Sequence, residues 1–193
     1  MARRSLFPTK MLSTLFYIST ILSLCLGSPN GAPSCQINEK RIGSAMRPAS
    51  DLGYSLFVAP AGNNNWNITI KNKSNRPTLS GLLLYVHQAN CEKDNIHLGS
   101  ITFQDKAKWK YQPSDLCKSG NVTQSTPQST VTHAHPSLVQ LDTLTFVWTS
   151  NSKELALNAL VVDAVVSTID STLPGPSPWQ RLQYFGIPPT LSN

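Results

Sequence analysis

The sequence predicts an all-β domain, a sandwich of mainly antiparallel strands, from three observations. Short runs rich in β-branched and aromatic residues recur along the chain, with turn residues between them. Only 13% of the 193 residues are charged, and Ser, Thr, Asn and Pro are abundant, which is atypical of helical bundles. Beyond the first segment, no apolar stripe of useful length has the 3.6-residue period of a helix. The length fits one domain and is too short for a (β/α)8 barrel.

Residues 1–27 are predicted to be a secretory signal peptide. Three basic residues and no acid precede an almost wholly apolar run from Met11 to Leu26. This run of about 16 residues is shorter than the roughly 20 that span a bilayer, so a retained anchor is the less favoured alternative. We expect cleavage after Gly27, giving a secreted, extracellular protein with no stable membrane anchor. Cleavage leaves 13 basic and 10 acidic residues, so the net charge falls from +6 to +3 and nucleic acid is not an expected partner.

The domain itself is predicted to cover residues 28–170. Its predicted strands are Tyr54–Val58, Trp66–Lys71, Leu79–Val86, Leu98–Phe103, Thr130–His133, Leu141–Thr149 and Leu157–Thr168. Apolar and polar residues alternate from Trp66 to Lys71, which predicts one buried and one solvent-facing side. The largely apolar runs Leu82–Val86 and Leu160–Val166 predict strands that are buried on both faces. No crossover helices are visible between the strands, which favours antiparallel pairing.

Residues 171–193 are predicted to be a Pro-rich C-terminal tail. The segment Pro174-Gly-Pro-Ser-Pro-Trp179 is typical of an extended linker, and Gly186-Ile-Pro-Pro189 prevents a helix from continuing. The preferred interpretation is a loosely ordered tail that lays its aromatic side chains on the sandwich. A partner-binding peptide is the alternative.

Three cysteines, Cys35, Cys91 and Cys117, remain after signal removal, an odd number for an oxidising compartment. At most one intramolecular bridge can form, and three pairings are open. The remaining thiol is free or links two chains into a dimer. No spacing among the cysteines and histidines is typical of zinc, so the cysteines are interpreted as structural, and no metal or cofactor is expected.

Asn67-Ile-Thr69, Asn72-Lys-Ser74 and Asn121-Val-Thr123 are glycosylation sequons, a number that fits a secreted glycoprotein. We expect Asn72 and Asn121 to be modified more readily than Asn67. A sequon on a buried or fast-folding strand is often skipped.

The order of several motifs resembles the Reeler (reelin N-terminal-like) domain family. The motifs are Cys35, Met46-Arg-Pro48, Gly53-Tyr-Ser-Leu56, Trp66-Asn-Ile-Thr-Ile70, Leu79-Ser-Gly-Leu-Leu-Leu-Tyr85, Leu98-Gly-Ser-Ile101, Cys117, Val131-Thr-His133, Thr145-Phe-Val-Trp148 and Leu160-Val-Val162. The resemblance covers about residues 35–166 and implies a small secreted member with an immunoglobulin-like antiparallel β-sandwich. It also implies a disulfide between Cys35 and Cys117 and leaves Cys91 without a family partner. Trp148-Thr-Ser-Asn151 departs from the family's W-x-A-P.

Catalysis is not expected from this sequence. No G-x-S-x-G motif and no Cys/His pair with a family signature is present, and the acids are scattered singly. His133 and His135 are two residues apart, which on a strand places both on one face and close enough to share a metal. The preferred interpretation of His133 is a hydrogen-bonded histidine at a strand end. A metal- or redox-linked extracellular protein remains as an alternative.

A weakly basic segment is the candidate ligand-binding site. Lys106, Lys108 and Lys110 alternate along the chain, so in an extended strand their ammonium groups line one face while Trp109 points to the other; Lys118 adds charge nearby. The alternative is an edge strand protected by lysines against edge-to-edge pairing. The expected function is a secreted, non-catalytic binding protein for a matrix, cell-wall or microbial-surface ligand, either a glycan or a surface protein. A secreted innate-defence or antimicrobial factor is the alternative.

Overall fold

The computed structural model describes residues 31–39, 42, 47–48, 51–72, 79–89, 95–135, 143–151, 160–168 and 177–187. The predicted signal segment, Cys91, and residues 171–176 and 188–193 of the predicted tail lie outside this part of the chain. Within the described residues, no helix is both long enough and apolar enough to cross a membrane.

Strands predominate in the described chain, and one helix is described over its whole length. In order they are β1 (Arg47–Pro48), β2 (Tyr54–Pro60), β3 (Asn65–Asn72), β4 (Leu79–Gln88), β5 (Ile96–His97), β6 (Ser100–Thr102), β7 (Trp109–Tyr111), α1 (Ser114–Ser119), β8 (Thr123–Gln124), β9 (Thr130–His133), β10 (Thr143–Thr149), β11 (Leu160–Thr168) and β12 (Pro178–Phe185). One sheet has the order β1-β12-β11-β4-β9-β7 and a second has the order β2-β3-β10-β6, while β5 pairs with β8. The pairings are antiparallel except for β1 with β12 and β5 with β8.

The six-stranded and four-stranded sheets face each other across one core, which confirms the predicted antiparallel β-sandwich. Trp66 of β3 and Trp148 of β10 are opposite each other in register, and their ring centroids are 4.9 Å apart. Neither indole is accessible to solvent. The same core receives the following side chains from β4 and β11: Leu82, Leu84, Val86, Val162, Ala164 and Val166. Full burial of a large apolar side chain contributes about 1.5–3 kcal/mol, so this layer is a major source of stability for the fold.

Strands β4 and β11 are buried on both faces, as their apolar runs predict. Their inner side chains enter the main core. Their outer side chains form a second cluster with Trp179 of β12 and Ile37, because the segment 31–39 covers this face of the sheet. The outer face of the six-stranded sheet is therefore closed by the N-terminal part of the domain.

The prediction of a loosely ordered tail is wrong for the segment Pro178–Phe185, because this segment forms β12 of the six-stranded sheet. It pairs antiparallel with β11 from Trp179 to Phe185. Proline is tolerated at the first residue of a strand, where its missing N–H costs little. Trp179 packs in the outer cluster and Leu182 in the main core, so both faces of β12 are buried in part. The sandwich thus extends beyond the predicted boundary at residue 170.

The strand predicted at Leu98–Phe103 is shorter than expected, because Gly99 interrupts it. Gly99 has a φ of +65°, and a Cβ there would overlap the carbonyl oxygen of Thr149 and the indole nitrogen of Trp148. That indole donates a hydrogen bond of 2.9 Å to the carbonyl of Leu98. Only glycine combines this backbone conformation with so close an approach.

Candidate functional site

The lysines of the predicted binding segment lie in a turn and on the edge strand that follows it. Lys106 and Lys108 flank Ala107 in the turn, and Lys110 lies on β7. The carboxylate of Asp105 accepts backbone N–H bonds from Ala107 at 3.0 Å and from Lys108 at 3.2 Å. Such bonds hold the backbone in a turn. The prediction that all three lysines line one face of an extended strand is therefore wrong, because only Lys110 lies on a strand.

Strand β7 is the edge of the six-stranded sheet and pairs with β9. Trp109 points into the core, and its ring meets that of Phe146 edge-on with 5.4 Å between centroids. Lys110 therefore lies on the opposite face of β7.

The positive charge of this surface is partly neutralised. The ammonium of Lys108 is 2.9 Å from the Asp105 carboxylate. This hydrogen-bonded cation holds the pKa of Asp105 below its usual range. Lys106 is exposed and Lys110 is half-buried. Between residues 105 and 118, four lysines and two aspartates leave a net charge of +2.

Lys110 and Lys118 lie near opposite ends of the segment 31–35. The Cε atom of Lys110 is 3.0 Å from the position that a Cβ on Gly31 would take. At the other end, Cys35 is bonded to Cys117, the neighbour of Lys118. Four extended residue steps span at most about 14 Å, so both lysines lie along the same short stretch of chain. We call Lys106, Lys108, Lys110 and Lys118 together the lysine edge.

The disulfide between Cys35 and Cys117, which the family resemblance implies, is present. The two cysteines are 82 residues apart in sequence, their Cα atoms are 5.0 Å apart, and both are buried beside Val122. The chain-entropy model gives about 4.5 kcal/mol of stabilisation for a loop of this length. Gln112 adds hydrogen bonds of 2.8 and 2.9 Å to the carbonyl oxygens of Ala32 and Ser34. The segment beside the lysine edge is therefore firmly attached to the sheet.

The two histidines proposed as an alternative metal pair do not share a strand face. His133 ends β9 and is buried, and its Nδ1 accepts the backbone N–H of Leu82 at 3.2 Å. His135 is exposed in the bend that follows. Within the part of the chain that the structure describes, no group of three His, Cys, Asp or Glu side chains is placed to hold a metal ion.

A buried ionic cluster, which the sequence analysis did not find, lies on the outer face of the six-stranded sheet. We call it the Asp163 cluster; its members are Asp163 of β11, Arg181 and Gln183 of β12, His87 of β4, and Glu39. Arg181 donates to the two carboxylate oxygens of Asp163 at 3.0 and 2.5 Å, and to Glu39 at 2.6 Å. Gln183 donates to Asp163 at 3.2 Å, and the Nε2 atom of His87 is 3.6 Å from the same oxygen.

The charges in the Asp163 cluster stabilise one another. Burial raises the pKa of Asp163, but His87 and Arg181 outweigh it, so that the pKa lies below its usual range. The hydrogen bonds to Asp163 raise the pKa of Arg181 above its ordinary value. Because Asp163 is inaccessible and its oxygens are engaged by neighbouring side chains, the cluster joins β4, β11, β12 and the N-terminal segment rather than facing a substrate.

His97 lies beside this cluster and is also fully buried. Its ring stacks on that of Tyr85 with 3.8 Å between centroids, and its Nδ1 is 2.6 Å from the hydroxyl of Thr130. Burial, followed by the nearby His87, lowers the pKa of His97 to about 3. The imidazole is therefore neutral at physiological pH. The hydroxyl of Tyr85 accepts the N–H of Ile37 at 3.2 Å, so this stack also supports the N-terminal segment.

The three sequons lie on different parts of the domain. Asn67 and Asn72 are half-buried residues of β3, and Ser74 of the second sequon lies outside the described residues. Asn121 is exposed after α1 and has a φ of +59°, a conformation that asparagine tolerates better than most residues. All three residues of the first and third sequons therefore lie within the part of the chain that the structure describes.

Comparisons with known proteins give similarity to solved structures alone. No family model matches the chain, and no curated protein matches it. Two structures of the human F-spondin reeler domain are 12% and 14% identical to this chain, with TM-scores of 0.46 and 0.42. Each alignment covers 71% of this chain, together with 92% of the first structure and 95% of the second. A structure of the Reelin-N domain of F-spondin is 14% identical, with a TM-score of 0.43 and coverages of 71% and 90%. The chain is thus similar in fold to Reeler-domain structures.

Proposed function

We propose that this chain is an extracellular, non-catalytic binding domain and that its lysine edge contacts an anionic ligand, such as an acidic glycan of a matrix or a cell surface. The observation that supports the proposal is the fixed position of the lysine edge. The turn held by Asp105 presents Lys106 at the surface, while the Cys35–Cys117 disulfide braces the chain next to Lys118.

An extracellular location is supported by three features of different kinds. A basic and then apolar segment begins the sequence, sequons follow, and a buried disulfide joins Cys35 to Cys117. Disulfides persist in oxidising compartments and are rare in the cytosol. Each feature is expected of a protein that passes through the secretory pathway.

A non-catalytic role is supported by where the perturbed titratable groups lie. Asp163 and His97 are inaccessible, and both contact side chains of the same domain. A general acid or base must reach the proton that it transfers, within about 3 Å or through one water. Asp163 and His97 therefore stabilise the fold and are not placed to transfer protons to a substrate.

Binding at the lysine edge should be weak for each lysine and sensitive to salt. The lysines are exposed or half-buried, so their charges are screened over a Debye length of about 8 Å at physiological ionic strength. A net charge of +2 between residues 105 and 118 attracts a polyanion, and several contacts are needed to hold it.

The test is a glycan-array screen of residues 28–193, secreted from animal cells, at low and at physiological salt. The proposal predicts salt-sensitive binding to sulfated or carboxylated glycans. Binding should be lost in the triple variant Lys106→Ala, Lys110→Ala, Lys118→Ala and weakened in Lys106→Ala alone. It should be retained in Lys71→Ala, which removes one exposed lysine from the other sheet and is the matched control for Lys106→Ala. Salt-independent binding to a neutral microbial glucan would instead support a defence factor, and binding unaffected by the triple variant would rule out the lysine edge.

A further inference from the structure

The outer face of the four-stranded sheet carries a cluster of features that the proposed function does not use. On this face, the outward side chains of β3 alternate with the buried residues Trp66, Ile68 and Ile70. Among them are both required residues of the first sequon, Asn67 and Thr69. The register of β3 with its neighbours shows what surrounds them.

Asn67 lies in the middle of this face with small or apolar neighbours. It is opposite Ala59 of β2 on one side and Val147 of β10 on the other. Within the described residues, the structure shows no hydrogen bond to the side-chain amide of Asn67. Because Asn67 alternates with the buried Trp66 and Ile68, its side chain lies on the outer face of the sheet, beside Ala59 and Val147.

Phe57 is the large apolar side chain next to this asparagine. It is 46% exposed, so nearly half of this side chain is open to solvent. It is directly opposite Thr69, so it is a diagonal neighbour of Asn67 at a distance of about 7–8 Å. The ammonium of Lys71 is 5.4 Å from the centroid of the ring. The face of an aromatic ring carries a partial negative charge and attracts cations. For the same reason it attracts the polarised C–H groups of a sugar.

We propose that Asn67 carries an N-linked glycan whose first N-acetylglucosamine packs its apolar C–H face on Phe57. In the transfer, a bond forms between the Asn67 amide nitrogen and C1 of the sugar, while the bond from C1 to a lipid pyrophosphate donor breaks. The pyrophosphate leaves with the bonding electron pair, and the amide nitrogen loses one proton. This inference rests on the extracellular location in the proposed function. It also assigns a glycan to Asn67, which the sequence analysis ranked below Asn72 and Asn121 as a site of modification.

The glycan on Asn67 would then be part of the folded surface. One sugar ring covers part of Phe57 and lies next to Ala59, which is on the same strand. The contact requires the first sugar and none of the outer ones. It also predicts that the glycan and the aromatic ring stabilise the domain only together.

The experiment uses the full chain secreted from cells that make high-mannose glycans. Mass spectrometry of the glycopeptide shows whether Asn67 is occupied, with Asn121 as an internal reference. Thermal unfolding is then measured for the intact protein, for protein trimmed by an endoglycosidase to one N-acetylglucosamine, and for the variant Asn67→Gln. The same set is repeated with Phe57→Ala, an exposed position where the substitution leaves the core intact.

The expected result is an occupied Asn67 and a Tm that falls by about 2–4 °C in Asn67→Gln but not on trimming. In the Phe57→Ala background, Asn67→Gln should change the Tm by less than about 1 °C. Asn121→Gln serves as the matched control, since its effect should not depend on Phe57. An unmodified Asn67 beside an occupied Asn121, or additive effects of Asn67→Gln and Phe57→Ala, would overturn the inference while leaving the proposed function intact. Retention of the expressed chain inside the cells, with none in the medium, would contradict the extracellular location as well.

Discussion

Arg181→Met tests the Asp163 cluster most directly, because it removes the guanidinium and keeps much of the apolar stem. Asp163 is inaccessible and takes two short hydrogen bonds from Arg181. Breaking a buried ion pair by removing one partner costs about 3–5 kcal/mol, since the other charge stays buried. The side chain of Arg181 is 25% exposed, and Gln183 still donates to Asp163. We therefore expect the lower end, about 3 kcal/mol, or a Tm lower by roughly 6–12 °C.

The pH dependence of this loss has a definite sign. In the native protein the pKa of Asp163 is lowered, so its contribution is present above the unfolded value near 4 and is lost as the pH falls through the folded pKa. Without Arg181, burial raises the pKa of Asp163 and the carboxyl takes up a proton more readily. The free-energy difference between the native protein and Arg181→Met should therefore shrink as the pH is lowered from 7 to 3.

The assay is urea unfolding at pH 7, 5 and 3, since urea adds no ions that would screen the cluster. Lys118→Met is the matched control, because it removes an exposed cation and should have little effect. Asp163→Asn combined with Arg181→Met should recover part of the lost stability. A loss below about 1 kcal/mol, or one that is equal at pH 7 and pH 3, would refute the proposed electrostatic role of the pair.

Three further changes should affect stability in defined ways. Because the pKa of His97 is lowered to about 3, the native protein should take up about one proton on unfolding and lose on the order of 2 kcal/mol between pH 7 and pH 5; His97→Phe should reduce this slope in urea titrations. Gly99→Ala forces a Cβ against the Thr149 carbonyl at a positive φ and should cost at least about 2 kcal/mol by urea unfolding. Replacing Cys35 and Cys117 by alanine should cost about 2–5 kcal/mol, and stability unchanged by this double substitution would contradict the structural role of the bridge.

The strands with strong local patterns could be predicted from the sequence, because burial repeats with the period of the backbone. The alternation from Trp66 to Ile70 and the apolar runs in β4 and β11 correspond to observed strands. Strand β12 was missed because the Pro-rich segment before it is typical of a linker. Its pairing with β11 is a tertiary contact, which the local sequence pattern does not show. Three-residue β7 and two-residue β5 and β8 are too short to show any period.

The candidate site was predicted less completely, because side-chain partners are set by the tertiary structure. The lysines alternate along the sequence, but the hydrogen bonds to Asp105 turn the chain before β7 begins. Asp163 offered a usable signal: a single acid in the apolar run Leu160–Val166 must find a partner if it is buried. That partner, Arg181, lies in the segment interpreted as a tail, so the ion pair could not be inferred until β12 was recognised.

The order of strands in the six-stranded sheet also determines when the domain can be completed during its synthesis. Strand β4 lies between β9 and β11, and β11 needs β12, so the centre of the sheet waits for residues far along the chain. At about 5–20 residues per second, roughly 5–20 s separate the synthesis of Gln88 from that of Phe185. Strand β4 keeps an open edge until β11 has been made, and β11 keeps one until β12 follows, so another nascent chain could occupy these edges. Assembly of the sheet therefore follows translation, and the growing chain depends on protection from neighbouring polypeptides until β12 has been made.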